Sequence, residues 1–305
     1  MSHRFVVGLV GVDLGPSLSP ALHEREADEL GLRYVYQLID LDTLGLGAED
    51  GGDLVRQAHR LGFAGLNITH PCKQTVVRHL DQLSADAAAL GAVNTVVFGP
   101  HGAVGHNTDW SGFAAGFTRG LTDAKVDDVV LLGAGGAGTA VAYAIVRLGA
   151  RRLTVVDVVL ERAELLESVL SHAFAGRRDD EPVRIEVAHS VADVADSLTS
   201  ADGLINATPV GMTRREEMPL PDGFLRPDMW VADVIYRPLE TELLRRAREI
   251  GCHTLNGGGM VVFQAAEAFR LITGQTPDAD RMYAHFTSMT HMSPAPQPMG
   301  SRIIG

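Results

Sequence analysis

The chain runs in two hydrophobic rhythms. Short apolar runs of strand length are followed by stretches whose apolar residues recur every three or four positions, the period of a helix. In the first third, Phe5 to Val10, Tyr34 to Ile39 and Gly65 to Ile68 read as strands. Pro20 to Leu30 reads as a helix, with Ser19 as its cap, Pro20 in its first turn and Gly31 just past its end. Leu54 to Leu61 is a helix stopped by Gly62, and Lys73 to Leu80 reads as another. Ala92 to Phe98 and Ala103 to His106 pair as a hairpin across Gly99-Pro100-His101-Gly102. Asn107-Thr108-Asp109 then opens a helix that runs to Gly120.

From Ala124 to Leu255 strands and helices alternate again. Val129 to Leu132, Leu153 to Val156, Ile185 to Ala188, Leu204 to Ala207 and Trp230 to Ile235 are the strands, and Thr139 to Leu148 is a helix ended by Gly149. The turn Asn256-Gly257-Gly258-Gly259 precedes two last helices, Met260 to Thr273 and Ala279 to Met289. This glycine hinge suggests that the last helices leave the second unit and pack back on the first. The Pro-, Met- and Ser-rich tail from His291 to Gly305 is predicted to be disordered. The pattern predicts the α/β class with two α/β domains: a mixed-sheet domain first, then a Rossmann-like one.

Composition narrows the function. The 305 residues suffice for two domains. A net charge of −12 argues against nucleic-acid and anionic-membrane partners. No apolar run approaches the ~20 residues of a membrane span. Met1-Ser2-His3-Arg4 shows no signal-peptide pattern, and Cys72 and Cys252 read as free thiols, so a cytoplasmic location is expected. The twelve histidines show no metal-ligand spacing, so no metal site is expected.

The most specific segment is Gly133-Ala134-Gly135-Gly136-Ala137-Gly138, between a strand and an Ala-rich helix. A second strand follows and ends at Asp157, about 20 positions past the glycines, as in a dinucleotide site. Gly133 permits the tight turn, Gly135 lets backbone approach a pyrophosphate, and Gly138 allows close packing. The helix N-terminus offers unpaired N–H groups and partial positive charge. Asp157 either accepts hydrogen bonds from ribose hydroxyls or caps a turn.

Four further polar clusters stand where strands meet helices. Ser17 and Ser19 place two hydroxyls within reach of one carboxylate, or Ser19 is only a helix cap. Lys73, just past Pro71, would begin a helix whose positive end disfavours the ammonium, which suits a proton donor and acceptor; otherwise it is a solvated surface lysine. Asn94, inside an apolar strand, is a structural hydrogen bonder or a substrate contact. Asp109 can cap its helix, and His106 reads as an ordinary core or edge histidine.

Together these clusters resemble the shikimate dehydrogenase family, in order from Ser17 to about Phe269. The motifs are Ser-x-Ser-Pro, Asn-x-Thr-x-Pro-x-Lys, Ala-Val-Asn-Thr, Gly-x-Asn-Thr-Asp, the glycine segment, and Asn206-Ala207-Thr208-Pro209 with Gly211-Met212. Asp233-Val234-Ile235-Tyr236 with Pro238, and Gly259-Met260 with Gln264-Ala265, complete the set. Leu66-Asn67-Ile68-Thr69-His70-Pro71 and Glu240-Thr241-Glu242-Leu243-Leu244 are similar to the actinobacterial quinate/shikimate branch. The resemblance implies a discontinuous substrate domain, residues 1–110 plus 258–290, and an NAD-binding domain, 111–257, with the active site in the cleft between them. It implies that Ser17, Ser19 and Tyr236 hold the substrate carboxylate. Thr69, Asn94, Asp109 and Gln264 would contact ring hydroxyls, and Lys73 and Asp109 would form the catalytic pair. The cofactor residues would be Gly133, Ala134, Gly135, Gly136, Ala137, Gly138, Asp157, Asn206, Ala207, Thr208, Val234, Gly257 and Met260. The implied reaction is reversible, NAD-dependent oxidation of shikimate, with quinate as a further substrate, to the 3-dehydro ketone. Hydride goes to the nicotinamide and the hydroxyl proton to Lys73, with the domains closing around both.

Two features depart from the commoner family pattern. Asp157-Val158-Val159 stands where many members read Asn-Arg-Thr and meet the 2′-phosphate of NADP, which predicts NAD over NADP. Asn256 stands where the family often has Asp. Serine at position 19, where some quinate-active relatives carry Thr, favours shikimate. An aminoshikimate-type dehydrogenase and a non-catalytic quinate/shikimate sensor are the alternatives. The expected partner is a small hydroxylated ring carboxylate, on a monomer or homodimer.

Overall fold

Two six-stranded sheets divide the chain. The computed structural model describes residues 4–15, 17–175, 183–212 and 217–292; most of the predicted disordered tail, from residue 293 onward, lies outside them. The front half contains β1 (Arg4–Gly11), α1 (Ser19–Glu29), β2 (Arg33–Asp40), α2 (Leu41–Leu44), α3 (Gly51–Arg60) and β3 (Gly65–Ile68). It continues with β4 (Gln82–Leu83), α4 (Ala85–Leu90), β5 (Thr95–Gly99), β6 (Gly102–His106) and α5 (Asp109–Gly120). The rear half opens with β7 (Asp128–Leu132), α6 (Gly136–Leu148), β8 (Arg152–Val156), α7 (Leu160–Phe174), β9 (Arg184–Ala188) and α8 (Ala195–Ser200). Then come β10 (Gly203–Asn206), β11 (Trp230–Asp233), α9 (Glu242–Ile250), β12 (His253–Leu255), α10 (Gly258–Thr273) and α11 (Ala279–Met292).

The front sheet has the order β2-β1-β3-β5-β6-β4 and is mixed, since β5 runs antiparallel to β3 and β6. Two antiparallel steps make β6 parallel to β3 again. The carboxyl ends of β1, β3 and β6 and the amino end of β5 therefore share one edge, with Asn67 beside Thr95 and Thr95 beside His106. The rear sheet, β12-β11-β10-β7-β8-β9, is wholly parallel. Its order reverses between β7 and β10, the crevice where open α/β sheets bind ligands. Its strands are near-continuous apolar runs, as burial on both faces requires: Val129, Leu131, Leu153 and Val155 pack on one side, Val130, Leu132, Leu204 and Val231 on the other.

The last helices return to the front half. Val262, Ala265 and Ala266 of α10 pack with Leu22 of α1 and with Met282 and Phe286 of α11. Arg281 of α11 makes a two-pronged ion pair with Glu26 of α1, at 2.9 and 2.5 Å. Glycines let α10 lie tight against α5: a Cβ on Gly112 would come within 2.6 Å of the Gln264 nitrogen, and one on Gly116 within 3.2 Å of Gly259. Asn256 accepts the Gly258 N–H at the head of α10 (3.0 Å).

Three local expectations are corrected. Residues 73–80 are not an α-helix; turns lead into a single 3-10 turn, Val77–His79. Cys72 and Val76 are buried four positions apart, which mimics a helical stripe, but the β-branched run Thr75-Val76-Val77 disfavours a helix. The Thr75 hydroxyl binds Ala48 O at 2.8 Å instead. No helix end therefore bears on Lys73. Ser19 is the first residue of α1 rather than its cap; the cap position is Leu18, and the Ser19 N–H is accepted by Ser17 Oγ. Asp109 likewise lies inside α5, whose first N–H, its own, is accepted by Asn107 Oδ1 (3.1 Å). Helices α4, α7, α8 and α9 complete the βα alternation.

Candidate active site

The front edge and the rear crevice face each other across a cavity of about 310 Å³. Ser17 and Ser19 reach it from the loop after β1 and the start of α1. Thr69 and Lys73 come from the turns after β3, Asn94 from just before β5, and Asp109 from the start of α5. Tyr236 comes from beyond β11 and Gln264 from α10. All eight predicted catalytic and substrate residues line this one cavity, together with Ala137, Val234 and Met260 of the predicted cofactor set.

At its centre Lys73 Nζ donates to Asp109 Oδ2 at 2.6 Å. The side chains are only 26% and 11% exposed, so the pair is shielded yet open to the cavity. The other carboxylate oxygen, Oδ1, accepts Asn94 Nδ2 at 2.9 Å. The Thr108 N–H donates to Asn94 Oδ1 at 2.7 Å. A backbone N–H can only donate, so this contact fixes which way the Asn94 amide faces. At the other end Ser17 Oγ accepts the Ser19 N–H at 3.3 Å. Gln264 Nε2 is turned to Val261 O of its own helix, at 3.0 Å.

The glycine loop is shaped for a dinucleotide. Gly133 takes φ 95°, and a Cβ there would come within 2.8 Å of Ala207. A Cβ on Gly138 would come within 2.0 Å of Gly133 O, but at Gly135 and Gly136 it would meet nothing within 4 Å. The loop is thus tight where it packs and open where α6 begins, and the first N–H groups of such a helix have no partner within it. Ala134, Gly135, Gly136 and Ala137 line a second cavity of about 620 Å³, which shares Thr69 and Lys73 with the first. The two cavities are therefore contiguous at the lysine.

The remaining predicted cofactor residues line neither cavity. Asp157 is 8% exposed; its Oδ2 accepts the Ala134 N–H (2.7 Å) and its Oδ1 the Val159 N–H (2.9 Å). These are turn-capping contacts that tie β8 to the glycine loop, and each oxygen keeps a free lone pair. Asn206 Oδ1 accepts the Thr208 N–H (3.1 Å), while its Nδ2 donates to Asp233 Oδ1 (3.2 Å). Burial pushes the Asp233 carboxyl above the usual carboxylate range. Gly257 lies against Val234, where a Cβ would come within 2.1 Å of its carbonyl oxygen.

Sequence reasoning missed several residues here. Asn67 and Asp13 line the smaller cavity, Asp13 with φ 51°. Asn67 is a polar residue within an apolar strand, the same signal that singled out Asn94. Arg162, in the first turn of α7, lines the larger cavity beside Gly135 and Gly136. Trp110 finds its place beside the site. It packs edge-on against Tyr143 of α6 (5.5 Å between centroids) with the Arg147 guanidinium 5.1 Å from its own ring centre. The Tyr143 hydroxyl donates to Asp86 Oδ1 of α4 at 2.6 Å, so the cluster bridges front and rear halves.

Comparison with known proteins agrees along the chain. The family model for the shikimate dehydrogenase substrate binding domain matches residues 9–96. The model for the shikimate 5'-dehydrogenase C-terminal domain matches residues 257–285. The chain is 58% identical over 285 residues to a shikimate dehydrogenase (NADP(+)) of Streptomyces avermitilis, covering 93% of this chain and 96% of that one. It is 46% identical over 292 residues to a quinate/shikimate dehydrogenase (NAD(+)) of Corynebacterium glutamicum, covering 95% and 100%. The solved quinate dehydrogenase from Corynebacterium glutamicum in complex with NAD superposes with a TM-score of 0.86 at 44% identity, covering 93% of this chain and 99% of that one.

Proposed function

The chain belongs to the shikimate dehydrogenase family, an oxidoreductase acting on CH–OH groups, and on that premise we propose that it interconverts shikimate, and less readily quinate, with the 3-dehydro ketone, using NAD. The observation that carries this reading is the Lys73–Asp109 pair at the junction of the two cavities. The bound nicotinamide nucleotide would supply the hydride acceptor.

Ser17, Ser19 and Tyr236 hold the carboxylate at one end of the smaller cavity. Thr69, Asn94, Asp109 and Gln264 orient the ring hydroxyls at the other. Neutral Lys73 Nζ takes the hydroxyl proton as hydride leaves the carbon that bears it, and protonated Lys73 gives it back in the reverse reduction. Asp109 holds the ammonium and the hydroxyl in one geometry, so the proton has a fixed path. Residues 1–110 with 258–290 form the substrate unit and 111–257 the nucleotide unit in this reading. The shielded cavity between them strengthens each charge–dipole contact.

The choice of nucleotide rests on Asp157. A carboxylate at the end of β8 accepts ribose hydroxyls and repels a phosphate dianion. A second reading, NADP, is favoured by Arg162, which lines the larger cavity beside Gly135 and Gly136, and by the similarity to the NADP(+)-type shikimate dehydrogenase of Streptomyces avermitilis. Initial rates with shikimate and quinate, each against NAD and NADP in one buffer, decide the matter. We expect the highest kcat/KM for shikimate with NAD. Equal efficiency with NADP would remove the role given to Asp157, and no turnover with either acid would overturn the function.

A further inference from the structure

Behind the catalytic pair lies a file of hydrogen bonds that runs one way. Its direction is fixed by two backbone groups that have no choice of role. The Thr108 N–H can only donate, so Asn94 presents Oδ1 to it (2.7 Å) and Nδ2 to Asp109 Oδ1 (2.9 Å). The Asn94 carbonyl can only accept, so Asn67 turns Nδ2 toward it (3.4 Å) and toward Thr95 Oγ1 (3.1 Å). Asn67 Oδ1 is then left as the acceptor for the Tyr36 hydroxyl, at 2.8 Å. Thr95 Oγ1, having accepted from Asn67, has its own proton free for Asn94 Oδ1 at 3.2 Å. The donors run from Tyr36 to Asn67, Thr95, Asn94 and finally Asp109, where Lys73 donates to the other oxygen.

We propose that Tyr36 and Thr95 are positioning residues for the reaction: through Asn67 and Asn94 they hold the Asp109 carboxylate in the orientation that Lys73 requires. The proposal rests on the reading of Lys73 and Asp109 given above. Neither Tyr36 nor Thr95 lines the cavity, and they are 6% and 0% exposed. Water therefore has little access to either hydroxyl, and hydrogen bonds in such a chain polarise one another toward the terminal acceptor. A free Asn94 amide can present its carbonyl oxygen to Asp109 and repel it. With Thr95 and the Thr108 N–H both donating to Oδ1, that rotamer leaves the Thr108 N–H unpaired in the core and the Thr95 hydroxyl with only the Thr108 hydroxyl, 3.4 Å away, which costs more than the bonds are worth singly. Burial also pushes the Tyr36 phenol well above its usual range, so it stays a donor throughout the working pH.

The test uses the full-length protein with three variants, Thr95→Val, Thr95→Ser and Tyr36→Phe, and Lys73→Ala alongside. Steady-state kinetics are measured with shikimate and NAD, or NADP if it is the better nucleotide, and thermal melting checks the fold. One neutral hydrogen bond removed from the file is expected to lower kcat about 3- to 10-fold in Thr95→Val. Tyr36→Phe, farther from the carboxylate, should lose about 2- to 5-fold, and the KM for shikimate should stay within about 2-fold in both. Thr95→Ser keeps the hydroxyl and should restore turnover. Wild-type kcat in folded Thr95→Val and Tyr36→Phe overturns the proposal, as does a loss confined to KM or a failure of Thr95→Ser to recover. Normal turnover in Lys73→Ala removes the underlying reading, and the proposal with it.

Discussion

The front and rear halves meet the cleft with different atoms. The front sheet presents side chains: Lys73, Asp109, Asn94, Thr69 and the Ser17/Ser19 pair, held by hydrogen bonds between buried polar groups. At the glycine loop the rear half presents backbone and small residues, Ala134 to Ala137, with open space beside Gly135 and Gly136 and close packing at Gly133 and Gly138. In the proposed function the difference follows from what each half would recognise. Alcohol oxidation needs a group that can carry a proton, and only a side chain supplies one. A pyrophosphate needs several N–H groups close together, and a helix N-terminus supplies them best when no side chain intervenes.

The comparison predicts opposite kinds of sensitivity. The largest effect in the rear half should come from adding one methyl group. In Gly138→Ala the new Cβ would fall 2.0 Å from Gly133 O, backbone against backbone, so the loop must move. Dinucleotide affinity should fall about 100-fold or more, with a stability loss of about 1–3 kcal/mol, as for other overpacked sites. Gly135→Ala is its partner: the Cβ meets open space, so melting should be unchanged while affinity still drops. Calorimetric titration with NAD and thermal melts read both quantities. Equal melting temperatures for Gly138→Ala and wild type would break the assignment of close packing to that glycine.

A smaller effect belongs to the front half alone. His23 is fully buried among Tyr34, Tyr36 and Phe269, and burial lowers its pKa to about 3. In the unfolded chain it takes a proton near pH 6.5. Between those values the unfolded state binds the extra proton, so stability falls as pH falls through that window. The slope is at most about 1.4 kcal/mol per pH unit. His23→Gln removes the titration, so the stability gap between variant and wild type should shift toward the variant from pH 6.5 to 4.5 in urea melts. Parallel curves would show that the imidazole is hydrated in the folded state.

Much of this division is written locally in the chain. The glycine loop announces itself because each glycine answers a constraint within a few residues of it, and a strand and helix flank it in sequence. Lys73 and Asp109 stand beside strand ends, the usual place for ligand groups, and the resemblance named their roles. What the sequence hides depends on register. Tyr36, Asn67 and Thr95 come from three strands, and only the pairing of β3 with β5 brings Asn67 beside Thr95. Lys73 to Leu80 reads as a helix in sequence, but the β-branched run Thr75-Val76-Val77 disfavours one and the Thr75 hydroxyl goes to the Ala48 carbonyl, which lies far off in the chain. Trp110 had no legible role because Tyr143, Arg147 and Asp86 lie far from it in sequence.

The most direct test of a front half that does chemistry and a rear half that binds is Lys73→Ala, measured for turnover and for affinity in the same preparation. A missing proton acceptor predicts a loss of about 100-fold or more in kcat, with the shikimate dissociation constant, read by calorimetry, within about threefold of wild type. Turnover close to wild type, or a loss that appears wholly as weaker shikimate binding, would contradict the account.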